Sequence, residues 1–266
     1  MNRVLGVVAW FAGLLFFAPV GWMVLTSLHH EPDAATNPPS VGAPLTLDSY
    51  REFFDSNPWP PLANSLTASV GSTLLVLLLA VPAAYALSIR KVEKWSDVLF
   101  FFLSTKMLPV VAGLLPLYLV ARYSGLLDDI SFLVVLYTSM NLPIAVWLAR
   151  SFLAEVPREV LEAAALDGAG LGTTLRRVVV PLTLPGLAAT SLICFVFSWN
   201  ELLFARVLTG VVAGTAPVHL TGFVTSQGLF LAKVCAAAVV VSLPVLVAGF
   251  AAQDKLVRGL SWGAVK

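Results

Sequence analysis

The chain is 266 residues long, 58% hydrophobic and only 12% charged, with a formal net charge of +1 and a mean hydropathy of +0.88. An ordinary soluble domain carries about a quarter of its residues as charges, so this composition excludes a soluble enzyme and a disordered protein. The lack of a basic surplus excludes a nucleic-acid binder. Lipid is the solvent for most of this protein.

With roughly 20 mostly apolar residues taken as one bilayer crossing, the sequence predicts an all-α membrane protein. It has six spans, at about 4–28, 62–89, 98–121, 130–150, 182–205 and 229–251, in a single domain over residues 1–266. The first apolar stretch is longer than the roughly 7–15 residues of a signal core, and no small-x-small cleavage pattern closes it. It reads as a retained helix. Residues 29–61 then form an acidic, proline-rich outer loop containing Glu31, Asp33, Asp48, Glu52 and Asp55. Within it Leu47, Tyr50, Phe53 and Phe54 recur at helical spacing and predict a short amphipathic helix. His29, His30, Glu31 and Asp33 can be drawn as a metal site, but a polar loop after an apolar run accounts for them equally well.

Pro82 lies in the second span and Pro109 and Pro116 in the third. Kinks of this kind are tolerated where neighbouring helices re-satisfy the freed carbonyls. Lys106 is the sharpest feature of the third span. If Trp95 marks the interface, eleven residues at about 1.5 Å each place Lys106 roughly 16 Å deep. An ionised group there costs about 2.5–3.5 kcal/mol and faces a water-filled path or a partner carboxylate.

Residues 151–181 form the long loop between the fourth and fifth spans. Pro157 suits a first helical position, Glu159 and Glu162 favour the amino end of a helix, and Ala163, Ala164 and Ala165 give high propensity with a thin face. Asp167-Gly168-Ala169-Gly170 then breaks the helix. Such a small-residue face is shaped to dock into a groove on another protein, and an ordinary loop helix explains it as well. Gly168-x-Gly170-x-Gly172-Thr173-Thr174 has neither the spacing nor the lysine of a phosphate loop, so ATP hydrolysis is not expected here.

In the fifth span Trp199, Asn200 and Glu201 offer a ring-stacking surface and two groups that hydrogen-bond hydroxyls; Glu201 could equally pair with Arg206. Lys233 is expected to snorkel from the last span. Asn64, Thr138 and Asn141 are equally path-lining groups or interhelical hydrogen-bond formers. Cys194 and Cys235 read as small buried hydrophobes. With the amino terminus inside, the inner loops and tail hold eleven basic residues, among them Arg90, Lys91, Lys94, Arg176, Arg177, Lys255 and Lys266. The outer side holds Arg51, Arg122 and Arg206. Both termini are therefore expected in the cytoplasm, with 252–266 as a cytoplasmic tail.

Glu162-Ala163-Ala164, Gly168 and Val178-x-Val180-Pro181 resemble the EAA motif, E-A-A-x3-G-x9-I-x-L-P, of the membrane subunits of bacterial ABC importers. Valines stand where that motif has Ile and Leu. Val257-Arg258-Gly259-Leu260-Ser261-Trp262-Gly263-Ala264-Val265-Lys266 is similar to the tail of carbohydrate importer permeases of the maltose and glycerol-phosphate type. Trp199-Asn200-Glu201-Leu202-Leu203-Phe204-Ala205 and Leu45-Thr46-Leu47-Asp48-Ser49-Tyr50 resemble two further segments of that group. Ser104-Thr105-Lys106-Met107-Leu108-Pro109 resembles permeases for sugar alcohols.

The resemblance implies a permease subunit of the bacterial inner membrane. It also implies a second, different permease, two ATP-binding subunits that hold ATP and magnesium, and an extracytoplasmic substrate-binding protein. No cofactor is implied in this chain. In this reading Glu162, Ala163, Ala164, Asp167, Gly168 and Pro181 couple to the ATPases, and Lys106, Trp199, Asn200 and Glu201 line the substrate path. The alternative is an ion-coupled secondary transporter using Lys106 or Glu201, which paired broken helices in an internal repeat would favour.

Overall fold

A computed structural model describes residues 2–36, 40–90, 92–225 and 228–264. Lys91 and Lys266 of the charge count, and the last two residues of the tail motif, lie outside them. In chain order the helices are α1 (Asn2–Ser27), α2 (Glu31–Ala34), α3 (Asp48–Asp55), α4 (Trp59–Ser88), α5 (Trp95–Thr105), α6 (Val110–Tyr123) and α7 (Ile130–Leu153). There follow α8 (Arg158–Leu166), α9 (Leu171–Thr174), a π-helical turn Leu175–Val179, α10 (Val180–Trp199), α11 (Leu203–Leu208) and α12 (Ala216–Leu220). A 3₁₀ turn Thr221–Phe223 and a two-residue antiparallel pair, β1 (Val224–Thr225) with β2 (Gly228–Leu229), lead into α13 (Leu231–Ala264).

Among the described residues, five helices are long and apolar enough to cross a membrane: Val4–Ser27, Trp59–Ser88, Ile130–Leu153, Leu171–Trp199 and Leu231–Asp254. The continuous third span expected over 98–121 is corrected. It is two helices, α5 and α6, bent by 81° at residues 106–109. Pro109 has no N–H to donate, and its ring disfavours helical backbone at Leu108. The fifth span likewise ends at Trp199 and restarts as α11.

The chain divides into two compact units. One comprises residues 1–62 and 215–244. In it the expected amphipathic helix forms as α3, with Phe53 fully buried against the rings of His219 and Phe223. Leu47 precedes α3 and is exposed. The Ser27 and Tyr50 hydroxyls share a 2.7 Å hydrogen bond, tying α1 to α3. Lys233, expected to reach water, instead pairs with the Glu52 carboxylate, and Glu31 accepts from the Ala232 and Lys233 amides at the start of α13. The α1 side chains Trp10 and Phe16 remain 76% and 84% exposed, as lipid-facing groups do.

The other unit comprises residues 63–214 and 245–266. Its core joins α4, α5, α7 and α10 through Val76, Ala80, Leu99, Ala145, Val146 and Cys194. Small residues let the backbones approach, which is how helices associate where lipid removes the hydrophobic drive. Gly186 is the extreme case, because a Cβ there would run into the Phe152 ring. Toward one end of these helices Ala84, Ala149, Leu153, Val179 and Leu187 form a second cluster, against which Leu161 of α8 packs. The Arg150 guanidinium sits 3.4 Å over the Trp95 ring, joining α7 to α5.

Candidate functional site

The loop after α7 builds its own stop signals. Pro157 precedes α8 as its cap, one position earlier than expected, and Glu159 lies in the first turn. At the other end Asp167 caps the helix and Gly168 takes φ +75°. The Gly168 amide donates to the Ala165 carbonyl at 3.0 Å and the Ala169 amide to Ala164 at 2.9 Å. This pair of bonds is a Schellman motif, whose reversal residue needs the left-handed backbone glycine adopts freely. The spacing from the alanines to Gly168 is thus one helix end and its cap. Ala164 is buried on the body of the unit, whereas Glu162 and Ala163 are exposed and Leu166 is 90% exposed. Val160, Ala163 and Leu166, exposed at three-residue spacing, form a bare apolar stripe along α8, and it is contiguous apolar surface of this kind that marks an interaction site.

The return to the membrane passes through the π turn, where the Val180 amide reaches back to the Leu175 carbonyl. Pro181 explains the wide turn. It cannot donate to Arg177, and its ring would crowd the Arg177 carbonyl in a regular helix.

The predicted path residues gather at two breaks. Lys106 caps the carboxyl end of α5, is exposed, and forms no ion pair among the described residues. A cation there suits the negative end of the α5 dipole. At the second break Asn200 caps α10, with its side-chain amide donating to the Val196 carbonyl at 2.8 Å and its position exposed. Trp199 is buried and stacks on Phe195 at 5.7 Å. Glu201 accepts from the Phe204 amide at 3.0 and 3.1 Å and from Ala205 at 3.2 Å, so its carboxylate caps α11.

Sequence reasoning named Asn141 and Asn64 as candidate hydrogen-bond formers but left unseen the two groupings they belong to. The first is a buried polar seam. Ser65, Ser69 and Ser72 recur at helical spacing along α4 and are all buried. The Ser72 and Ser198 hydroxyls lie 3.0 Å apart, and the Asn141 amide donates to Ser198 at 2.9 Å. The period of serines within an apolar run was the available signal. The second is a clamp on residues 209–214. Asp128, itself at φ +61°, accepts from the amides of Gly210, Val212 and Ala213 at 2.7, 2.9 and 2.8 Å. Asn64 donates to the carbonyls of Val212 and Gly214 at 2.7 and 3.0 Å. Partial burial pushes the Asp128 carboxyl up, but the backbone amides of Val212, Ala213, Gly210 and Val211 outweigh it and hold the group below the ordinary aspartate range.

Residues 76–261, which include α8, both breaks and the Asn141 and Ser198 members of the seam, match the family described as binding-protein-dependent transport system inner membrane component. The chain belongs to this family. A relative from Sinorhizobium fredii named "Probable ABC transporter permease protein y4oR" is 36% identical over 253 residues, covering 95% of this chain and 91% of its own length. The trehalose transport system permease protein SugB of Mycobacterium tuberculosis is 32% identical over 253 residues, covering 93% and 92%. Among solved structures, a bacterial ABC transporter involved in import of the acidic polysaccharide alginate has the same fold. Its TM-score is 0.76 at 23% identity, with 96% of each chain covered. This member of the inner membrane component family is therefore a multi-pass permease subunit.

Proposed function

We propose that this chain is one of two different permease subunits of an ABC importer that carries a sugar, oligosaccharide or sugar alcohol into the cytoplasm. In this reading it crosses the inner membrane six times, with the bent α5–α6 pair as the third crossing and both termini in the cytoplasm. Its partners are a second permease, two ATP-binding subunits that hold ATP and magnesium, and an extracytoplasmic binding protein. The observation that carries the proposal is α8. It is a short helix closed by its own Schellman motif, with Ala163 and Leu166 bare, suspended between α7 and the π turn before α10.

Closure of the ATPases would push on Glu162, Ala163, Ala164, Asp167 and Gly168. Leu161 and Ala164, packed on the body of the unit, would pass that displacement to α7 and α10, and Pro181 sets the joint at which α10 turns. Lys106 and Asn200 would then meet the cargo at the two breaks, while Trp199 and Glu201 hold the turn that presents Asn200. A sugar is recognised through hydroxyl groups, which an exposed amide and an ammonium bind by hydrogen bonds. The sequence relationship to a trehalose permease and the carbohydrate-permease motifs support the cargo class.

Purification from native membranes through a tag after Lys266 tests the assembly. Co-purification of an ATPase and a second permease is the expected result. Recovery of this chain without either partner, together with uptake that follows a proton or sodium gradient, would overturn the reading.

A further inference from the structure

A groove of about 600 Å³ runs along the second unit between α4 and α10. Its walls are apolar, from Leu77 and Pro82 on one side to Leu184 and Leu187 on the other, and it extends to Ser191. One cation lines it, Arg176 of the π turn, at the end where α10 begins. Arg176 is exposed and takes part in no ion pair among the described residues. Arg177 follows it in the chain but does not line the groove.

From these facts we infer a binding site for an anionic phospholipid, with the phosphate held at Arg176 and one acyl chain laid between α4 and α10. Fifteen residues separate Arg176 from Ser191, about 22 Å of helix at 1.5 Å per residue. Half of a roughly 30 Å hydrocarbon core is about 15 Å, so the groove is long enough to hold a chain from the interface to mid-bilayer. Its chemistry changes along the same line, from cation to hydrocarbon, as a lipid changes from phosphate to alkyl chain. A carbohydrate matches only the first part of that sequence, and a purely apolar helix only the second. Basic pockets between membrane helices are a recognised form of headgroup site, and the planar guanidinium fork suits phosphate oxygens. The Pro181 joint gives the arrangement its cause, because the widened turn before it is the segment that brings Arg176 to the groove. The site is separate from the exposed tip of α8 and from both breaks.

The test uses the chain in its native assembly, extracted into polymer-bounded nanodiscs. Dioleoyl phosphatidylglycerol and dioleoyl phosphatidylcholine are each offered as diazirine-tailed probes. The expected result is about fivefold more labelling by the glycerol lipid, the factor that one basic side chain contributes toward an anionic lipid. Labelled peptides should fall within 77–82 and 184–191. Arg176→Gln should reduce the preference to parity, and Ala188→Trp, which fills the groove without touching the charge, should reduce labelling by both lipids. Excess inorganic phosphate should leave the labelling unchanged, since the chain and headgroup bind together. Equal labelling by the two lipids would overturn the site, as would a preference that survives Arg176→Gln, displacement by phosphate alone, or protection of both peptides by a second permease seated in the groove.

Discussion

The end of α8 and the loop at 209–214 solve one problem in opposite ways. Both reverse the chain at an exposed place, and both must satisfy backbone groups that no helix serves. The α8 end does so within its own six residues, through Gly168 and the carbonyls of Ala164 and Ala165. The 209–214 loop borrows instead, from Asp128 some 82 to 85 positions away and from Asn64 some 148 to 150 positions away. A segment that caps itself can be displaced as a unit and stay folded. A segment held by distant side chains stays where they stay. The first design suits a part that is pushed, and the second suits a surface that is held.

That contrast can be broken most severely at Gly168. Gly168→Asp places a side chain at φ +75°, which costs about 1–2 kcal/mol for an ordinary residue although space around the position is open. It also adds a carboxylate beside Asp167. We expect uptake of labelled substrate to be abolished while the amount of protein inserted in the membrane is unchanged. Normal uptake would remove Gly168 from the coupling machinery.

Asp128→Ala should act on the other loop alone. Three amides lose a charged acceptor, and because the site is partly exposed the local cost is about 1–2 kcal/mol. Hydrogen exchange at Gly210, Val212 and Ala213 should accelerate about tenfold, with exchange at Gly168 and Ala169 unchanged. The pH dependence follows from the lowered folded-state value. A depressed carboxyl contributes stability that is present above its unfolded value and lost as pH falls through its folded value. The loop should therefore remain protected at pH 5 and open only below the ordinary aspartate range.

The smallest effect is expected in the seam. Asn141→Ala removes one interhelical hydrogen bond, worth about 0.6 kcal/mol on average in membrane proteins, while Ser72 and Ser198 keep theirs. A thermal midpoint lowered by a degree or two would agree, and loss of the folded unit would show that the seam carries far more than this.

The same contrast explains what could be read in advance. The α8 helix, its proline start and its Gly168 stop are local, so their residues stand side by side in the sequence. The apolar spans declare themselves by length. Asp128 lies in an unremarked Asp-Asp pair, and nothing near it names Gly210. The break at Lys106 was hidden because Leu103, Met107 and Leu108 continue the apolar run that a straight helix would need. Glu201 reads as a carboxylate within a span, facing either a sugar hydroxyl or Arg206. Its role as a cap becomes visible only once α10 is known to end at Trp199.

The central claim is that the bare face of α8 meets an ATP-hydrolysing partner inside the cell. Ala163→Cys in the assembled importer, treated with a short bifunctional thiol reagent, tests it most directly when the ATP-binding subunit carries cysteines on its permease-facing surface. A cross-link between the two chains is expected, with no reaction with a membrane-impermeant maleimide added outside intact cells. Labelling from outside, without a cross-link, would contradict it.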